Sequence, residues 1–144
     1  MTLFTPLDAD YESRVRESFA RQKLMQTIGA TMPEVSPGKI TIELPFRDDL
    51  TQQHGYLHAG IITAVVDTAC GFAAMTLTPP GAEILSVEFK INLLSPAKGE
   101  RFIARGLVVK AGRTLIVCEG DASAIFEGQE KKIASMLATM FTLK

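Results

Sequence analysis

Several kinds of chemistry have no footing in this sequence. Only two cysteines occur, Cys70 and Cys118, far apart and each inside an apolar run. They make neither a Cys-x-x-Cys pair nor a zinc-type cluster, so buried, reduced thiols in a cytoplasmic protein are expected. No block of Lys and Arg occurs, and 15 basic against 16 acidic residues leave a net charge of -1. Such a balance attracts neither nucleic acid nor an anionic membrane surface. The first ten residues hold Asp8 and Asp10 and no basic start before an apolar core, which predicts no signal peptide. A Gly-x-Ser-x-Gly elbow, a His-Glu-x-x-His pair, a glycine-rich phosphate loop and a dinucleotide fingerprint are all missing. His54 and His58 stand four apart, but His54 precedes the predicted helix, so no metal is expected. With no internal repeat, low-complexity tract or linker, 144 residues predict one domain with one core.

The pattern along the chain mixes helix and strand. Residues 8–29 read as one amphipathic helix, with Tyr11, Val15, Phe19 and Gln22 along one face, Asp8 or Asp10 as cap and Gly29 as stop. Residues 30–35 predict a strand, Ser36-Pro37-Gly38 a turn, and 39–46 an alternating strand with Pro45 at an end. A polar loop over 47–57 leads into a long helix from His58 or Ala59 to about Thr78, stopped by Pro79-Pro80-Gly81. Between Ala59 and Pro79 the only charge is Asp67, which imitates a membrane span. Its glycines, alanines and threonines and its missing basic flanks assign it instead to the centre of a soluble core.

Four strands follow, over 84–94, 101–110, 113–126 and 131–143, with Ala111-Gly112 as a two-residue hairpin loop. In the first of them Val87, Phe89, Ile91 and Leu93 oppose Glu88, Lys90 and Asn92. The later strands carry apolar residues on both faces, such as Leu107, Val109, Leu115 and Val117, which predicts a second covered face and hence an oligomer. The simplest packing is a curved antiparallel sheet wrapped around the long helix, an α+β architecture.

Two residues stand out chemically. Asp67 is the lone charge among Ile61, Ile62, Ala64, Val65, Val66, Ala69 and Cys70. A buried, unpaired carboxylate is costly, so it must find donors, stay protonated or border a wet cleft. One so placed is a candidate general base or nucleophile, although a bond to a neighbouring backbone or loop accounts for it equally. His58 stands where the loop meets the helix, ahead of Ala59 and Gly60. The first N–H groups of a helix have no internal partner and carry the positive end of its dipole, which makes these two amides candidates for an oxyanion hole. A plain helix cap is the competing role for His58. Nine residues of helix separate His58 from Asp67, setting them on roughly opposite faces and about 13 Å apart along the axis. One helix cannot aim both at one carbonyl. If both act, two antiparallel copies in a symmetric dimer must supply them.

The run Gln52-Gln53-His54-Gly55-Tyr56-Leu57-His58-Ala59-Gly60, followed by Asp67 within Ala64-Val65-Val66-Asp67-Thr68-Ala69, resembles the PaaI-type hotdog thioesterases of the 4-hydroxybenzoyl-CoA thioesterase superfamily. Residues 85–99 are similar to that family's next strand and turn, and Lys110-Ala111-Gly112-Arg113-Thr114 to its next hairpin. The resemblance implies a hotdog domain over 30–144 with the helical segment 1–29 packed on it. It also implies a homodimer with a continuous sheet, commonly assembled as a dimer of dimers. The implied reaction is hydrolysis of acyl-CoA to free acid and CoA, with no cofactor beyond the CoA of the substrate.

By position in that family, Asp67 activates water or attacks the thioester carbonyl, and the Ala59 N–H polarises it. His58 supports the hole from the other subunit, Gln52 stands where an Asn holds water, and Ser86 where a Ser or Thr assists the acid. Gly60, Glu88, Leu94, Ser95, Pro96, Ala97 and Lys98 fall at substrate-contacting positions, as do Lys110, Ala111, Gly112, Arg113 and Thr114. Lys98, Lys110 and Arg113 suit the CoA phosphates. Ala59 replaces the family's Gly, and Gln52 its Asn. Strict alternation sets Ser86 on the polar face, opposite Val87 and Phe89, so it meets the site only through a bulge or a subunit boundary. A non-catalytic acyl-CoA-binding or sensor module and a hydroxyacyl-CoA dehydratase are the alternatives on the same fold. Ile61, Val65, Phe72, Met75 and Phe89 either line an acyl tunnel or fill the core.

Overall fold

The computed structural model describes residues 3–144. Helices α1 (Tyr11–Arg21) and α2 (Lys23–Ile28) lead into strands β1 (Thr31–Ser36) and β2 (Lys39–Pro45). A 3₁₀ turn, Asp48–Leu50, precedes the long helix α3 (Ala59–Met75), and β3 (Glu83–Leu93), β4 (Arg101–Ala111), β5 (Leu115–Phe126) and β6 (Gln129–Leu143) complete the chain. The strands form one antiparallel sheet in the order β1-β2-β4-β5-β6-β3, with α3 across its inner face. This is the expected wrapping of a sheet around one long helix.

Alternation builds the inner face. Phe102, Ala104 and Val108 of β4, Ile116, Cys118 and Ala122 of β5, and Met136, Ala138 and Met140 of β6 are buried. Where α3 crosses, the strands carry glycine. A Cβ added at Gly106 would lie 2.4 Å from the carbonyl carbon and oxygen of Ala69 and 2.6 Å from the Cys70 nitrogen. At Gly120 it would meet the Cys70 Sγ and Val66 Cγ1 at 2.7 Å. The helix backbone therefore rests on the sheet backbone. The membrane-like run is buried here, and among the described residues no helix is long and apolar enough to cross a membrane.

The N-terminal segment departs from expectation. The single helix predicted over 8–29 is two helices broken at Gln22, whose backbone is extended (φ -78°, ψ 103°). In an unbroken helix Met25 and Ile28 would lie about 80° and 140° round from Val15. The break brings all three into the core, where none exceeds 2% exposure. Gly29 stops α2 in the left-handed conformation (φ 80°), which glycine adopts without steric cost.

Neither Asp8 nor Asp10 caps α1 with its side chain. The Asp8 carboxylate instead accepts from the Asp10 N–H at 2.9 Å and pairs with Arg14 Nε at 2.8 Å. The Arg14 guanidinium also donates to the carbonyls of Met75 (3.3 Å), Thr78 (3.0 Å) and Ala82 (3.0 Å). It thus ties α1 to the C-terminal end of α3, where a cation is favoured, and to the turn that follows.

Two turns are also corrected. The β4–β5 loop is Gly112 to Thr114 rather than Ala111-Gly112, closed by the Gly112 N–H donating to the Leu115 carbonyl at 3.0 Å. Strand β6 starts at Gln129 rather than Lys131, because Glu127 and Gly128 (φ 50° and 77°) form a two-residue turn with both φ positive. Strand β3 lies at the sheet edge, with Leu85, Val87, Phe89 and Leu93 exposed along it.

Two measurements test this packing. Gly106→Ala should lower the unfolding free energy by roughly 1–3 kcal/mol in urea titrations, because the obstructing atoms are backbone and cannot swing aside. A wild-type midpoint would contradict the contact. Burial pushes the Cys118 thiol up from 9.0 to about 12 and raises that of Cys70 as well. A folded-state value above the unfolded one leaves stability intact below 9.0, and stability falls as pH rises through the folded value. Both thiols should therefore resist iodoacetamide at about pH 8 until the chain is unfolded, and rapid labelling of the native protein would refute their burial.

Candidate active site

The N-terminus of α3 is held by a tightly bonded loop. The Gln52 side-chain carbonyl accepts from the backbone N–H of His54 (2.6 Å) and of Tyr56 (3.3 Å). The Gln52 N–H donates to the Tyr56 carbonyl at 2.9 Å, and the His58 N–H to the Leu50 carbonyl at 2.9 Å. His58 then caps the helix, its Nδ1 accepting from the Gly60 N–H at 2.7 Å. That bond corrects one expectation, since Gly60 offers no free amide. The His58 carbonyl takes the Ile61 and Ile62 amides (3.0 and 3.3 Å), and the Ala59 N–H is left with no acceptor among the described residues. With Nδ1 as acceptor, neutral His58 carries its proton on an exposed Nε2. A cleft of about 420 Å³ opens here, with Gln52, His58, Ala59, Ile62, Leu93 and Pro96 among its walls.

Asp67 lies farther along α3, half-buried, in a second cleft of about 180 Å³. Its Oδ1 accepts from the Ser86 hydroxyl at 2.7 Å, and no cation pairs with it among the described residues. The bulge that alternation alone could not supply brings Ser86 there. Pairing of β3 with β6 slips between Ser86 and Glu88, which oppose Met140 and Thr139. Ser86 thereby shares the inner face with buried Met140, while Glu88 turns outward and accepts from the Thr139 hydroxyl at 2.6 Å. Strict alternation would have kept Ser86 and Glu88 on one face.

The two clefts share no residue. The expected CoA-contacting segments divide the same way. Ser95, Pro96 and Ala97 line the Ala59 cleft, and beside it Lys98 stands 5.1 Å over the Phe126 ring. Residues 110–114 sit at the other end of the sheet. There Thr114 accepts from the Thr142 N–H at 2.8 Å, and Leu115 pairs with Phe141, the partner of Leu85 next to Ser86. Ser18, Gln22, Thr68 and Gly71 also border the Asp67 cleft. Ser18 and Gln22 reach it only through packing of the N-terminal helices, whereas Gly71, a glycine within a predicted helix, was a signal open to sequence reading.

Residues 54–125 match the family model described as Thioesterase superfamily. An esterase-designated protein of Saccharolobus solfataricus is 30% identical over 127 residues, covering 88% of this chain and 82% of that one. Human acyl-coenzyme A thioesterase 13 is 35% identical over 92 residues, 63% of this chain and 65% of that protein. The crystal structure of a thioesterase family protein from Silicibacter pomeroyi superposes with a TM-score of 0.91 at 50% identity, covering 92% of this chain and 98% of that one. The PaaI protein of Escherichia coli shares the fold, with a TM-score of 0.84 at 15% identity over 96% of both chains. The sheet wrapped around α3 is thus the hotdog fold, and the chain belongs to the thioesterase superfamily and is a thioester hydrolase.

Proposed function

We propose that the protein hydrolyses acyl-CoA thioesters to free acid and CoA at two equivalent sites between antiparallel copies of the chain. One observation carries this reading: the acid and the unpaired amide occupy separate clefts of a single helix, each without the other's chemistry. Asp67 acts as general base or nucleophile, with the Ser86 hydroxyl holding one carboxylate oxygen and leaving the other to react. As base, it takes a proton from water while the oxygen adds to the thioester carbonyl carbon. The C–S bond then breaks and the proton passes to the departing thiolate. The Ala59 N–H of the second copy, at the positive end of α3, donates to the developing oxyanion. His58 keeps that amide in place by capping through Nδ1 and presents its Nε2 beside it. Gln52 spends its carbonyl on its own loop, so its NH₂ is the group offered to water or substrate.

The exposed edge of β3 supports the assembly, since an open edge with apolar side chains invites another strand. Antiparallel pairing of two such strands sets the Leu93 end of one copy beside the Ser86 end of the other. Lys98 of one copy and Lys110 and Arg113 of the other then flank the CoA phosphates. Leu85, Leu115 and Phe141 form a neighbouring exposed row across β3, β6 and β5, which supports pairing of two dimers through the outer face. The acyl-CoA activity in the name of the human relative supports the substrate class.

Two variants separate the half-sites. Asp67→Asn should lower kcat by about 10²–10⁴-fold. Ala59→Pro should delete the hole's N–H and cost about 10²–10³-fold without breaking α3. Proline is tolerated at the first helical residue, and His58 already has the extended backbone (φ -62°, ψ 137°) that precedes proline. Co-refolding the two inactive variants in equal amounts should restore about a quarter of wild-type activity, since half the dimers are mixed and each holds one intact site. No recovery from mixtures that form dimers would overturn the shared site.

A further inference from the structure

The helix that carries Asp67 contains a glycine that the fold does not require. Gly71 lies one turn after Asp67, inside α3, where glycine is less stable than alanine. Close contact with α3 dictates Gly106, against helix backbone, and Gly120, against the Cys70 and Val66 side chains. At Gly71 an added Cβ would meet nothing nearer than Ile84 Cγ2 at 4.0 Å, an ordinary contact, and its φ is not positive. A side chain at 71 would enter the cleft beside Asp67. Asp67, Gly71 and Met75 are spaced by four and form one stripe of the helix along that cleft. The opposite wall is the N-terminal segment, which contributes Ser18 and, from the break between α1 and α2, Gln22. The Thr68 hydroxyl donates to Gln22 Oε1 at 3.4 Å, and the Gln22 NH₂ has no acceptor among the described residues.

We propose that this cleft receives the acyl group of the substrate, that Gly71 sets its depth, and that Gln22 with Ser18 selects acyl groups ending in a hydrogen-bonding oxygen. The inference rests on the hydrolase reading above, which puts the thioester carbonyl at Asp67. From Asp67 the stripe through Gly71 and Met75 runs away from the N-terminus of α3 along this cleft, which gives the acyl group room to extend. The space is about 180 Å³. An apolar cavity of roughly 150 Å³ holds one benzene ring, so a cleft of this size suits a single ring or a short chain.

The test compares kcat/KM ratios for acetyl-, hexanoyl- and ω-hydroxyhexanoyl-CoA in wild type and variants. Gly71→Leu should lower the hexanoyl-to-acetyl ratio by about 10-fold or more. Gln22→Leu should lower the ω-hydroxyhexanoyl-to-hexanoyl ratio by roughly 3- to 10-fold. Gly71→Ala should raise Tm by roughly 2–4 °C through helix propensity. A lower Tm would mean that packing demands glycine and would overturn the assignment. An unchanged ratio in Gly71→Leu overturns the pocket, and one in Gln22→Leu overturns its polar selection, while Asp67-dependent turnover leaves the hydrolase reading standing. Wild-type turnover in Asp67→Asn overturns the placement of the thioester carbonyl at Asp67 instead.

Discussion

The position of α3 depends on one contact, the backbone of Ala69 and Cys70 pressed against Gly106 of β4. No side chain intervenes, so neither rotation nor sliding of the helix is possible without a clash. Gly120 repeats the constraint on β5, beneath Val66 and the Cys70 thiol. With its middle pinned, α3 turns Asp67 toward the edge strand and its Ser86, and projects Ala59 beside the loop braced by Gln52. Arg14 anchors the far end by donating to the Met75 carbonyl and to the Thr78 and Ala82 carbonyls just beyond it.

That placement keeps two incompatible groups apart. The positive field of a helix N-terminus is confined to the first turn. Asp67 lies more than two turns in, so its carboxylate is not drawn into its own helix's amides and the Ala59 N–H stays unclaimed. On the proposed reading, a second copy reunites the two functions with the geometry reversed. Strand β3 then has two duties, since its inner face presents Ser86 to the acid and its open edge pairs the copies. A long exposed edge is a liability in an isolated chain; covering it would turn the liability into the site.

Much of the architecture was legible. The apolar run with one acid, the Pro79-Pro80-Gly81 stop and the alternation of the later strands are local patterns, and each element formed close to where its pattern placed it. The His58-to-Asp67 spacing implied two separate locations, and two separate clefts are found. The failures share a cause. Gln22 breaks a helix whose local propensity is adequate, because only a break buries Val15, Met25 and Ile28 together. Gly60 loses its amide because His58 takes the capping role that its position had left open, and only the orientation of the ring decides that.

By itself, then, the sequence determined the order of elements, the burial of the long helix and the isolation of Asp67 within it. These follow from residue periodicity and from the cost of burying charge, which act over a few neighbouring residues. Tertiary structure decided which face Ser86 presents, which helix amide remains unpaired and which residues wall the Asp67 cleft. A bulge exists only relative to the strand it pairs with, an amide is free only once its competitors are bonded, and a wall is made by segments distant in the chain.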